Sequence, residues 1–307
     1  MPHHRPRDWA LLLGLTALWG SAFMLTKIAV GGIAPGWVVT GRLALAAALL
    51  LPLAALSGQG WPQDRRTWGF LVLIALMGNA LPFWLITWGQ RGIDSGVSGI
   101  LMAVMPLAVL ALAHLFVPGE GLTRRRLLGF VLGFAGVAVL FWPQTGAEVA
   151  AVQGAQGAAL SMLAVLAGAL CYAVSSILAR LRPPQAALPT AALVTLLATL
   201  QALPLAIATD PIPLLWPPPW PGPHEAMALV GLGVLATALA AVLYFRLIAS
   251  AGPSFAAQLN YLIPPWAVLM GILFLGESPL PNQFYALALI LAGVVIASTG
   301  HRAAGAA

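Results

Sequence analysis

Apolar and polar positions are segregated along this chain in blocks of helix length. Ten apolar runs are separated by short polar or proline-bearing segments: Trp9–Ala29, Gly36–Leu56, Thr67–Trp88, Ser95–Phe116, Leu127–Trp142, Ala155–Ala179, Ala187–Thr209, Glu225–Ala249, Ser254–Leu275 and Gln283–Ser298. At about 1.5 Å per helical residue, a run of ~20 residues crosses a hydrocarbon core about 30 Å thick. The pattern predicts an all-α membrane protein of ten transmembrane helices joined by short loops. Arg5 and Arg7 precede the first run, but that run is too long for the apolar stretch of a signal peptide, so a retained helix is expected.

The runs also repeat. The stretch from Leu101 through Pro106, Leu115-Phe116 and Glu120 to Ala135-Gly136-Val137 returns as Leu259, Pro264, Leu273-Phe274, Glu277 and Ala292-Gly293-Val294. The offset is 158 residues up to Phe116 and 157 from Glu120 onward, and Pro52 and Pro204 extend the match upstream at an offset of 152. A unit this long is not a solenoid repeat, whose period is about 20–50 residues. It divides the chain into residues 1–146 and 147–307, with five runs in each. Similar halves with an odd number of spans insert in opposite orientations, so two inverted five-helix repeats are expected.

Charge fixes the expected orientation. Arg5, Arg7, Arg65, Arg66, Arg124, Arg125, Arg126, Arg180, Arg182, Arg246 and Arg302 fall on one side of the ten-span scheme, eleven of the fourteen basic residues. That side is expected to be cytoplasmic and to hold both termini. The longest loop on the other side, Asp210–Pro223, is half proline and therefore stiff and extended. Trp216 and Trp220 in it, and Trp9, Trp37, Trp61, Trp68, Trp88 and Trp142 near span ends, suit an interfacial aromatic belt.

Composition agrees with the bilayer as solvent. The 307 residues are 61% hydrophobic and 7% charged, against about 25% charged in a soluble domain. The net charge of +6 is explained by the loop arginines, and no basic face interleaved with aromatics suggests nucleic acid. Cys171, the single cysteine, leaves no intrachain disulfide or thiolate metal site.

Polar groups inside spans are costly in hydrocarbon and mark candidate functional positions. Asn79 lies midway along the third span and precedes Pro82; Gln201 is in the seventh; Gln258 and Asn260 precede Pro264-Pro265 in the ninth. Tyr172, Ser175 and Ser176 lie in the sixth span and Tyr244 in the eighth, while Trp19, Trp84 and Trp266 stand away from span ends. For each amide the competing reading is an interhelical hydrogen bond that only packs the bundle, and for each tryptophan lipid contact or packing. Gly129 and Gly133 have the spacing of a close helix contact. No Asp or Glu falls at mid-span, Arg42 sits about two turns into the second span, Lys27 ends the first, and His114 closes the fourth. Catalytic motifs are absent, and no metal site or cofactor is expected.

Ten spans in two halves, Leu18-Trp19-Gly20-Ser21 in the first span, and the paired Pro…Glu…Ala-Gly-Val stretches resemble the drug/metabolite transporter superfamily, and within it the EamA-type exporters. The similarity runs from Trp9 to Thr299, with a weaker likeness to the aromatic amino-acid exporter branch. It implies one transport domain in a bacterial inner membrane, exporting amino acids or related small metabolites by alternating access through a cavity between the halves. The substrate-binding residues expected at that cavity are Trp19, Asn79, Trp84, Gln201, Tyr244, Gln258 and Asn260. Pro82, Pro106, Pro204, Pro264 and Pro265 are either gating bends or fixed kinks. Cys171-Tyr172 stand where the second repeat would carry Trp19-Gly20, which weakens any site built on two-fold equivalence.

Facilitated diffusion fits the lack of a mid-span carboxylate, with a proton-coupled antiporter of drugs or metabolites, relayed by His114, as the alternative. A sugar-phosphate or nucleotide-sugar type translocator would need several cavity Lys and Arg for its phosphate, and this chain has one lysine. A membrane-embedded enzyme would need clustered carboxylates or histidines, and a channel a repeated filter or charge ring; the sequence has neither. The expected partners are the bilayer and a small-molecule substrate.

Overall fold

The computed structural model describes residues 5–116, 123–142, 155–209 and 221–298. These form ten long helices: α1 Pro6–Ala29, α2 Pro35–Leu56, α3 Arg65–Gly89, α4 Ser95–Phe116, α5 Arg124–Phe141, α6 Ala155–Leu181, α7 Ala187–Thr209, α8 Pro223–Ala251, α9 Pro253–Leu275 and α10 Pro281–Ser298. No strand occurs among the described residues. Nine of these helices are long and apolar enough to cross a membrane; α5, with 18 residues, opens on three arginines and is more polar. Glu120, His3, His4, His301, Arg302, Trp216 and Trp220 lie outside the described residues.

Seven of the helices start earlier than the apolar runs, and α4, α6 and α7 start with them. Five begin on proline, at Pro6, Pro35, Pro223, Pro253 and Pro281. Proline is favourable in a first turn because its fixed φ suits the helix and the N–H it lacks would have no intrahelical partner there. Polar caps extend two others. The Asp64 carboxylate accepts the Thr67 N–H at 2.7 Å to open α3, and the Thr123 hydroxyl accepts the Arg126 N–H at 3.3 Å to open α5. Large apolar side chains face outward, among them Phe134 on α5 at 64% exposed and Phe274 on α9 at 67%. That is an uneconomical surface in water and the required one in lipid.

Packing between helices repeats as the sequence does. α5 packs on α10, α2 on α7 and α4 on α9; α1 packs on α8 and α9, and α6 on α3 and α4; α2 meets α8, and α7 meets α3. Replacing each helix by the one five positions along returns the same set of pairs. The α5–α10 crossing shows the relation atom by atom. A Cβ on Gly293 would lie 2.5 Å from the Gly129 carbonyl oxygen, and one on Gly136 would lie 2.9 Å from that of Ala286. At the offset of 157, Gly129 corresponds to Ala286 and Gly136 to Gly293, so one contact occurs twice. Numbering rises along α5 as it falls along α10, so these two helices are antiparallel. Gly133, against Leu107 of α4, completes the small-residue face.

Departures from α-helix also come in pairs. α3 is π-helical over Leu76–Ala80 and α8 over Gly231–Leu239. Pro82 offers no N–H to the Gly78 carbonyl four residues earlier, and the wider turn accommodates that loss. In α8 the Thr237 hydroxyl donates to the Leu232 carbonyl at 2.8 Å, within the π segment. α4 breaks at Ala103–Val104, just before Pro106, while α9 breaks at Ala257–Gln258, well before Pro264 and Pro265. The ninth run is therefore a short helix followed by Leu259–Leu275, with Gln258 at the N-cap of the second piece.

Candidate functional site

Mid-helix polar and aromatic groups meet where α1, α2, α3, α6, α8 and α9 face one another. Arg42 on α2 is only 9% exposed. Its Nε donates to the Thr237 hydroxyl on α8 at 2.8 Å, and its guanidinium carbon lies 3.9 Å from the centre of the Phe83 ring on α3. Phe83 in turn meets Tyr172 of α6 edge to face, with ring centres 6.3 Å apart. The π turn brings α3 close to α6 here, because Gly78 lacks the Cβ that would strike the Ser175 hydroxyl. On the neighbouring side Trp19 of α1 meets Tyr244 of α8 at 5.2 Å between ring centres. Trp266 of α9 lies against Gly20 and donates its indole N–H to the Ser21 hydroxyl at 3.0 Å.

The seven expected binding residues do not form one cluster. Trp19 and Tyr244 are brought together. Asn79 lies in the π segment of α3, and its amide makes no hydrogen bond to another described residue. Trp84 stacks on Trp88 at 6.5 Å and packs against the α2–α7 core, where its buried indole N–H has no acceptor among the described residues. Gln201 instead ties α7 to α3, donating to the Val72 carbonyl at 3.1 Å. Asn260 spends its amide on its own turn, donating to Ala257 at 3.1 Å. Arg42 is not among the seven expected residues, although an arginine two turns inside an apolar span is itself a signal.

A second polar group closes one end of the bundle. Glu277, just past the left-handed Gly276 that ends α9, accepts the Ser95 and Gly96 N–H groups at 2.7 and 3.0 Å. It thereby caps α4, an anion on a helix N-terminus. The Lys27 ammonium at the end of α1 donates to the Gln90 and Ile93 carbonyls, both at 2.8 Å. Fully buried Gln90 donates to the Phe23 carbonyl at 3.2 Å. Asp94, between α3 and α4, has its carboxyl pushed up by burial and by the nearby Glu277, with Lys27 opposing. Four helices, α1, α3, α4 and α9, are tied here by charged and amide groups. His114 lies exposed in the last turn of α4, and among the described residues no three His, Cys, Asp or Glu side chains converge.

These features define a multi-pass helical membrane protein built from two similar halves. The chain belongs to the EamA-like transporter family, whose model matches residues 8–142 and again residues 159–299. A probable terminal-alkyne amino-acid exporter of Streptantibioticus cattleyicolor is 27% identical over 290 residues, 94% of this chain and 92% of that one. The inner membrane transporter YedA of Escherichia coli (strain K12) is 26% identical over 295 residues, 94% of this chain and 90% of that protein. One solved crystal structure superposes with a TM-score of 0.65 at 20% identity, covering 96% of this chain and 97% of the other, which shows the shared fold.

Proposed function

We propose that this protein exports amino acids or closely related small metabolites across a bacterial inner membrane by alternating access between two inverted five-helix halves. The observation that carries the reading is the paired architecture around unpaired chemistry. Equivalent helices pack on each other, both third helices are π-helical, and between them stand Arg42, Asn79 and the Trp19–Tyr244 pair. Antiparallel packing of α5 on α10 supports inversion. The exporter of S. cattleyicolor, by its name, carries an amino acid, and the aromatic pair suits a substrate with an apolar side chain.

The Lys27–Gln90–Glu277 group is read as the closed gate on the outer side, and the arginine-bearing ends as cytoplasmic. Facilitated diffusion remains the proposed energetics. Proton antiport is the second reading, and the observation favouring it is the close pair Asp94 and Glu277 rather than His114.

Two experiments test this. Counterflow in proteoliposomes, loaded with one amino acid and screened with a panel of amino acids and sugar phosphates, should give flux with amino acids and none with sugar phosphates. In a Cys171→Ser background, Gln59→Cys should react with an impermeant maleimide only from the cytoplasmic side and Arg91→Cys only from the other. Labelling of both from one side would sink the inverted scheme.

A further inference from the structure

We infer that Arg42 is the carboxylate-binding residue of this transporter, and that a carboxylate is what the site requires of its substrate. The inference rests on the exporter reading and adds the recognised group. Arg42 lies about 10 Å along α2 from its start, and no Asp or Glu falls at mid-span on any helix to neutralise it. A cation held in a membrane interior without an anion is costly, and such residues pair or mark a substrate path. A guanidinium has five N–H donors. Among the described residues only Nε has an acceptor, the Thr237 hydroxyl at 2.8 Å, and the two terminal nitrogens donate to none.

The surroundings orient the group without neutralising it. Phe83 covers one face of the guanidinium at 3.9 Å, and Thr237 is itself fixed by its bond to Leu232 at 2.8 Å. That leaves the outer edge of a planar fork, the geometry that meets a carboxylate through two parallel hydrogen bonds. The Tyr172 hydroxyl, carried on the ring that meets Phe83, has no protein partner among the described residues and offers a further donor. One fixed fork suits a single carboxylate. A phosphate dianion would call for additional cations, and Lys27, the one lysine, is engaged with two carbonyls.

Binding is measured first, on the purified full chain in detergent, as apparent affinity from melting-temperature titrations. L-leucine and L-phenylalanine are each compared with the corresponding amide, with glucose 6-phosphate as the phosphate arm. Wild type should prefer acid over amide at least tenfold and ignore the phosphate, and Arg42→Gln should bring the acid-to-amide ratio to about one. Equal response to acid and amide, no response to either acid, a preference for the phosphate, or a preference that survives Arg42→Gln would each overturn the inference. Should Arg42→Gln fail to fold, Arg42→Lys decides. It keeps the charge and loses the fork, so the ratio should fall severalfold, and an unchanged ratio overturns the proposal. A purely structural arginine would lower melting temperature without moving this ratio. Counterflow of the same compounds separates the two readings. Carboxylate-selective binding without flux keeps the site and sinks the exporter, whereas flux of amides unaltered by Arg42→Gln keeps the exporter and sinks the site.

Discussion

α2 and α7 hold the same place in the two halves and pack on one another, yet Arg42 on α2 corresponds to Val194 on α7 at the offset of 152. Val194 is buried in the apolar cluster between α2, α3 and α7. Elsewhere the same split appears. Trp19 corresponds to Cys171, and Trp266, at the offset of 158, to Ala108. Backbone features follow the repeat: the prolines Pro52 and Pro204, the two π segments, and the doubled glycine contact of α5 with α10. The halves therefore share a scaffold and divide the chemistry. A moving pair of halves needs matched helix contacts on both sides, whereas an asymmetric substrate needs a different group at each end. Under the proposed alternating access, symmetry would serve the motion and asymmetry the recognition.

The scaffold side of this comparison predicts the largest effects. Gly129→Leu and Gly293→Leu both force a side chain into a carbonyl that would already lie 2.5 Å from a Cβ. Each should cost about 1–3 kcal/mol of overpacking strain, read as a clear fall in the melting temperature in detergent. Gly14→Leu, where nothing lies within 4 Å, serves as the control and should be near neutral. Gly136 is the counterpart of Gly293 in the other half, its Cβ meeting the Ala286 carbonyl at 2.9 Å, so a large difference between Gly136→Leu and Gly293→Leu would break the claim that one contact occurs twice.

The chemical side predicts a smaller and unequal effect. Asn79 has its amide free of described partners in a π turn, while Asn260 donates to Ala257 within its own turn. Asn79→Leu should lower counterflow about tenfold, the equivalent of one hydrogen bond to a charged group at ~1.4 kcal/mol. Asn260→Leu should stay within about twofold, and both should keep the wild-type melting temperature. Equal losses at the two positions would mean that the halves share the recognition chemistry after all.

What was readable in the sequence follows the same division. The helices were legible because the bilayer demands long apolar runs, and the repeat because helix contacts conserve small residues and prolines in register. Helix starts at Pro6, Pro223 and Pro281 fall outside the apolar runs, because hydropathy gives no sign that a proline is a first-turn residue. The π segments leave no periodic trace in an all-apolar run, so Asn79 could be picked out only by polarity. Gln201 stands out on the same ground, and its bond to Val72 reflects how α7 meets α3, which no single span encodes. Taken singly, Lys27 reads as the end of the first span and Glu277 as one position of the repeat. Their shared role as a tie of four helices depends on contacts between residues up to 182 positions apart.

The smallest predicted effect concerns the end tied by Glu277, and it is a pH dependence. Asp94 has its carboxyl raised above the ordinary carboxylate value, first by burial and then by Glu277, with Lys27 opposing. In an open arrangement with Asp94 hydrated, its carboxyl returns towards the ordinary carboxylate value. The closed arrangement thus holds the Asp94 proton more tightly than the open one. Its contribution to closure is fully present below the ordinary value and is lost as pH rises through the raised one. Raising pH across that window should favour opening by a few-fold, less than any effect above. Ser98 on α4, fully buried, reports the opening when changed to cysteine in the Cys171→Ser background. Its rate of external maleimide labelling, divided by that of exposed Arg91→Cys to remove the thiol's own titration, should rise with pH. Asp94→Asn cannot ionise and should flatten that ratio at its low-pH value. A ratio that is already flat in the Asp94 protein, or that still rises in Asp94→Asn, would remove Asp94 from the proposed gate.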